Sequence, residues 1–497
     1  MADDSPEACV ARGDAVALLA ALNKLGRQRV QGGPEGEAAL CLASETGRLP
    51  CAKVLLDYGV SVECENYAGE TPLTLATRGD HPAVVDLLLR RGADVLIRNR
   101  HSETALDIAC EKGLFTTIDL LLRNIWRDDV SGDVREPPAH VTRTEWESFC
   151  YTALVSAVDS GHRGALAKLL DAGFEPNLSM IDEVATPLHA AIDAGSVTCA
   201  DLLIESGADV EAVRPCLQQS PLATCAENNQ VKIAKRLLEA GCDINRQTDE
   251  CSSALIVACH YGSTQMAEFL LDNGADPSLV NSWGFTALTM AVDSPRILKR
   301  LLETDVDVNM QCGERGEGAI HMAAGVRSTE PTRLLLDAGA DINLRTYHNE
   351  TPLWLAVCKG HVGLVKFLIQ RNCDLNVPSN DYLPLEVAII GENFESVRML
   401  VKAGCALRND LHYKGNDGQK GPIDELPMLL VRSEVAAILK RNTQEKDWIK
   451  SHITKPQSLK HITRLAVRRA LGERIEKKLE TLPIPALMKE YLRFPDL

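Results

Sequence analysis

Aromatic residues are scarce: Phe, Tyr and Trp make up 4% of the 497 residues. That scarcity suits small, regular helix packing better than a β-sandwich core. No stretch approaches the ~20 consecutive apolar residues that a membrane-spanning helix needs. Met1–Val10 carries acids rather than Lys or Arg, and the apolar run Ala15–Leu22 is short, so no secretory leader is expected. The sixteen cysteines include no Cys-x-x-Cys pair. They read as reduced thiols of a cytoplasmic protein, with a nuclear location also open. Nor do Cys and His converge at zinc-ligand spacing. Gly313, Gly316 and Gly318 follow no buried strand, which argues against a dinucleotide site, and Gly415, Gly418, Lys420 and Gly421 lack a P-loop ending. There is no nucleophile elbow or spaced triad. The chain is therefore expected to be non-catalytic, with no cofactor and no metal.

Charge is plentiful but uneven. Residues 441–497 hold thirteen Lys or Arg and seven Asp or Glu, a balance of +6, so residues 1–440 carry −22 of the total −16. An acidic body argues against nucleic acid or anionic membrane as the ligand and favours a partner with a basic segment.

A pattern recurs along that acidic body. Thr71-Pro72-Leu73-Thr74-Leu75-Ala76 returns as Thr186-Pro187-Leu188-His189-Ala190-Ala191 and as Thr351-Pro352-Leu353-Trp354-Leu355-Ala356. Weaker copies start at Ala38, Thr104, Thr152, Ser220, Ser253, Thr286, Gly318 and Leu383, giving eleven starts about 33 residues apart with one 48-residue step. A second pattern follows most starts, as in Leu88-Leu89-Arg90-Arg91-Gly92-Ala93-Asp94. Thr caps a first helix, Pro fits its first turn, and the Gly stops a second helix in a left-handed conformation. One such unit cannot bury both faces, so the units must stack. His189 and His321 share one repeat position, and His81, His162 and His361 share another, which marks them as structural. Cys110 and Cys259 likewise share a position, where Cys acts as a small hydrophobe.

The period and the Thr-Pro-Leu-His and Gly-Ala-Asp patterns resemble the ankyrin repeat over residues 35–408. The resemblance implies an all-α solenoid of about eleven helix–turn–helix units with hairpin turns. Residues 1–34 read as N-terminal capping helices, and the long step as an insertion near 124–150. In that insertion, some of Trp126, Trp146 and Phe149 are expected to pack on the array. Tyr67, Trp283, Phe285, Tyr347 and Tyr382 fall just before repeat starts, on or near turn tips, and are the candidate target-binding residues. Glu70, Glu103 and Glu350 immediately precede Thr and are expected to add negative charge there.

Residues 409–456 read as a linker and a degenerate last repeat. Then Ser458-Leu459-Lys460-His461-Ile462-Thr463-Arg464-Leu465-Ala466-Val467 places Leu459, Thr463 and Val467 on one helical stripe. Leu482-Pro483-Ile484-Pro485 follows, and its two prolines call for extended backbone. Together these residues resemble a SOCS box over 457–497, a small three-helix module. The family usually has Cys where this chain has Thr463. The resemblance implies that Leu459, Thr463 and Val467 bind elongin C, which brings elongin B. It also implies that Leu482, Pro483, Ile484 and Pro485 bind cullin-5 with its RING subunit. The chain is thus identified as a member of the ankyrin-repeat-and-SOCS-box family, whose resemblance implies a substrate-recognition subunit of a cullin-5 ubiquitin ligase. The alternative is a non-catalytic scaffold or inhibitor whose SOCS-like end is only a structural cap.

Overall fold

The structure is a computed structural model that describes residues 5–26, 30, 33–125, 141–179, 185–214, 219–247, 252–379 and 382–405, with seven further positions between 438 and 448. It divides into two compact units, Met1–Thr248 and Asp249–Leu497. Among the described residues the regular elements are all helices, joined at four places by isolated β-bridges.

One repeat of the first unit shows how the sequence makes the plan. Thr71 Oγ1 accepts from the Thr74 N–H at 3.3 Å, and Pro72 opens the inner helix Pro72–Arg78. His81 N–H then donates to Ala76 O, and the outer helix Pro82–Arg90 begins. That helix ends where Ala93 N–H reaches back to Leu88 O, a closure that needs Gly92 at φ 87°. The chain next runs out to a tip. There Asn99 Oδ1 accepts from the N–H groups of His101 and Glu103 at 2.9 and 3.0 Å, a side-chain copy of a tight turn. Leu73, Ala76, Val84, Val85 and Leu88 are all buried between the helices. Each fully buried Leu or Val contributes about 1.5–3 kcal/mol.

In the first unit the inner helices Pro34–Glu45, Pro72–Arg78, Ala105–Glu111, Arg143–Asp159, Pro187–Asp193 and Pro221–Glu227 stack in order. The outer helices Leu49–Tyr58, Pro82–Arg90, Phe115–Ile125, Arg163–Asp171, Val197–Glu205 and Val231–Glu239 stack beside them. A shorter pair, Pro6–Arg12 and Ala15–Leu25, packs against the first of each. Two ladders tie outer helices and loops together. Arg91 pairs with Asp57, Lys168 with Asp119 and Arg236 with Asp201, each one repeat back. Asp94, Asp209 and Asp243 donate their backbone N–H to Glu63, Asn177 and Glu211 of the preceding repeat.

Two repeat starts differ from the sequence reading. Helix Pro34–Glu45 begins a turn before Ala38. Thr152 caps nothing: it lies inside the 17-residue helix Arg143–Asp159, where its hydroxyl donates to Phe149 O. The cap is Thr142, in a reciprocal box with Glu145. The extra turns exist because Trp146 and Phe149 have somewhere to go. Both are buried and cluster with Phe174, at ring separations of 5.5 to 6.4 Å. Trp126 lies outside the described residues.

The second unit repeats the plan with the inner helices Ala254–His260, Ala287–Met290, Ala319–Gly325, Pro352–Cys358 and Pro384–Ile390. Thr286, Gly318, Thr351 and Leu383 stand at the N-caps, as the register requires. After Met290 the helix tightens into a 3₁₀ turn, Ala291–Asp293, because this repeat reaches Pro295 two residues sooner than the repeat at Thr71 reaches Pro82. At the far end, Arg398 of the last outer helix, Phe394–Lys402, pairs with Glu445 and lies 5.6 Å from the Trp448 ring.

Candidate protein-binding surface

The tips of the first unit are held by charge that sequence reading had placed in solvent. Glu70 is buried, and Arg78 bridges it at 3.0 Å to Glu103 at 2.9 Å. Asn99 Nδ2 donates to both carboxylates. Burial disfavours ionised Glu103, but the hydrogen bonds from Asn99 and Arg78 outweigh it and keep its carboxyl below the usual range. In the second unit Glu350 is buried and both its carboxylate oxygens accept from Arg315 Nη2, at 2.9 and 3.0 Å. These three glutamates therefore lock neighbouring tips and do not act as free surface charge. The position before the repeat start is buried at Glu70 and Glu350 and half-buried at Glu103, which the one-dimensional pattern does not record.

The aromatic candidates separate by exposure. Tyr67 is 95% exposed on a tip of the first unit, and Trp283 and Tyr347 are 57% and 68% exposed on the second. Phe285 and Tyr382 are half-buried. Contacts chain the second unit's tips together. Gly313 lies against the Phe285 ring and the Trp283 carbonyl. Tyr347 N–H donates to Arg315 O, and its ring lies so close over Gly316 that a Cβ there would sit 2.7 Å from it. Ser379 donates to His348 O, and the Trp354 indole donates to Tyr382 O at 3.2 Å. Glycine in the middle tip is what allows two aromatic rings to flank it.

The inner helices add a second feature. Glu45, Glu111, Asp159, Asp193 and Glu227 each close an inner helix of the first unit at the same repeat position, seven residues after the repeat start. Sequence reading missed this row, although the register contained it. Acids at helix C-termini oppose the helix dipole. Burial, then the Asp193 charge, raises the Asp159 carboxyl above its usual range. Asp193 is itself tied to Arg214 and Asn228.

The register histidines are structural. His321 Nδ1 accepts from Gly318 N–H, and its Nε2 donates to Leu344 O and Glu350 O, so one ring joins two repeats. His189 bonds Thr186 in the same way. Burial, with Arg214 nearby, lowers the His189 pKa to about 4, and burial lowers that of His321 as well. Among the described residues no group of three His, Cys, Asp or Glu could hold a metal ion, and no helix is long and apolar enough to cross a membrane. Leu459, Thr463, Val467, Leu482, Pro483, Ile484 and Pro485 lie outside the described residues.

Comparison with known proteins bears on both parts. The family described as "Ankyrin repeats (3 copies)" matches overlapping segments across residues 8–132 and 154–410, and the SOCS box family matches residues 455–493. Human ankyrin repeat and SOCS box protein 16 is 27% identical over 350 residues, which is 65% of this chain and 62% of that protein. The E3 ubiquitin-protein ligase KEG of Arabidopsis thaliana is 24% identical over 363 residues, 60% of this chain and 22% of that protein. In both cases the alignment spans less than two thirds of the relative. Among solved structures, the human ASB11 ankyrin repeat domain is 27% identical with a TM-score of 0.38, covering 48% of this chain and 99% of that one.

Proposed function

The chain belongs to the ankyrin-repeat and SOCS-box family, and on that premise we propose that it is the substrate-recognition subunit of a cullin-5 RING ubiquitin ligase. The observation that carries the reading is the order of parts: a long ankyrin array followed by a SOCS box at 455–493. The array captures a target protein. Leu459, Thr463 and Val467 dock elongin C with elongin B, and Leu482, Pro483, Ile484 and Pro485 engage cullin-5. The chain performs no bond chemistry itself. It raises the effective concentration of target lysines at the charged conjugating enzyme.

Target capture is assigned to the exposed Tyr67, Trp283 and Tyr347, together with the half-buried Phe285 and Tyr382, and the acidic row of the first unit favours a target with a basic segment. The test is co-expression with elongins B and C, size exclusion, and cullin-5 pull-down. The wild-type chain is expected to form the complex, and Leu459→Ala with Val467→Ala to lose it. Undiminished elongin capture by that double variant would remove the assignment. A wild-type chain that stays alone and soluble would favour a scaffold whose last segment only caps the array.

A further inference from the structure

Cys41 lies on the inner helix Pro34–Glu45, and Cys64 lies in the loop after the outer helix Leu49–Tyr58. Their sulfur atoms are 3.9 Å apart, and both side chains are buried. Both are free thiols. Cys64 Sγ is also 3.8 Å from Glu37 O, so the loop thiol sits between a carbonyl and a second sulfur. A disulfide needs about 2.05 Å between sulfurs, so closure requires a shift of roughly 2 Å.

We propose that Cys41 and Cys64 are a peroxide-oxidisable dithiol that closes to a reversible disulfide within the first unit. Cys41 is the attacking group. The side-chain contact between the two sulfurs lowers the Cys41 pKa against the effect of burial, and the same contact, with burial, raises that of Cys64. The Cys41 thiolate attacks one oxygen of hydrogen peroxide and the O–O bond breaks. Cys41 becomes a sulfenic acid, and the departing hydroxide takes up a proton to become water. The Cys64 sulfur then attacks the Cys41 sulfur, the S–O bond breaks, and a second water leaves. Two thiols and one peroxide give one disulfide and two waters. Burial selects the oxidant, because peroxide is small enough to enter during a brief opening and bulky disulfides are not. The new bond ties the inner helix to a loop three residues from the exposed Tyr67, restraining that tip. Any effect on target capture rests on the proposed function; the bond itself does not.

The test treats the purified full-length chain with limiting hydrogen peroxide under native conditions. It is then quenched with N-ethylmaleimide, digested without reductant and mapped by mass spectrometry. The expected result is a linked Cys41–Cys64 peptide as the main disulfide, removed by dithiothreitol. In Cys64→Ser, dimedone added with denaturant after excess peroxide is removed is expected to trap Cys41 as its sulfenic acid instead. The proposal is overturned if Cys41 and Cys64 stay reduced while the exposed Cys358 oxidises, or if the link forms only in denaturant.

Discussion

In the first unit, Glu70, Arg78, Asn99 and Glu103 draw adjacent tips together, and a row of acids closes the inner helices. In the second unit, Arg315 ties to Glu350, Gln311 and Tyr347 bond across tips through backbone groups, and Trp283 and Tyr347 stand in solvent. Both units thus display exposed aromatics, Tyr67 on the first and Trp283 and Tyr347 on the second, but the row of acids closing the inner helices belongs to the first. Charge reaches over several ångströms and steers encounter, whereas aromatic side chains contribute affinity only in contact. Under the proposed function, the acidic row is expected to act on association and the exposed aromatics on dissociation.

The comparison can be broken most forcibly through stability. Phe149→Ala empties the Trp146–Phe149–Phe174 cluster and is expected to cost about 3–5 kcal/mol. Denaturant unfolding monitored separately in the two units should show the loss in Met1–Thr248; an equal loss in both would mean that the units do not fold independently. Next in size, Trp283→Ala with Tyr347→Ala is expected to weaken target capture about tenfold or more, around 1.4 kcal/mol, at unchanged melting temperature. Unchanged affinity in a binding titration would remove the aromatic tips from the site.

Smaller effects sharpen the contrast. Asp159→Asn with Glu111→Gln should slow target association and flatten its salt dependence, with dissociation little altered. Stopped-flow rates that ignore salt would exclude a steering role. Asn309→Ala and Asn343→Ala each remove a bond to the next repeat's backbone, and each is expected to cost about 1 kcal/mol, readable as a shift in denaturation midpoint of the second unit. The smallest test is pH. His189 titrates at about 4 when folded, against an ordinary value near 6.5. The unfolded chain therefore binds more protons between these limits. The stability held by neutral His189 is complete above about 6.5 and falls as pH drops toward 4. His189→Asn should reduce the slope of first-unit stability against pH in that window by up to one proton, and an unaltered slope would show that the ring is already charged when folded.

Much of the fold was legible because the helical signals are local. Thr104, Ser220, Ser253 and Thr286 each stand at a helix N-cap, where a hydroxyl next to Pro or Ala accepts from a backbone N–H three residues on. Thr152 failed as a start for a non-local reason. Trp146 and Phe149 find Phe174 on another segment, and that contact makes an earlier cap at Thr142 the better one. The candidate surface was half legible. Position before the repeat start placed five aromatics near the tips, but their exposure depends on what the neighbouring tip carries. Tyr347 is displayed because Gly316 leaves room beneath it.

By itself the sequence determined the repeat register, the helix boundaries set by caps and glycines, and the family to which the chain belongs. All of these rest on interactions within a few residues or on a period that one unit cannot satisfy alone. Only the tertiary structure decided which charges are consumed in locking tips, which aromatics remain outside, and that Cys41 meets Cys64. The physical reason is the same in each case. Burial and pairing are properties of two segments brought together, and residues one repeat apart come into contact only when the repeats stack.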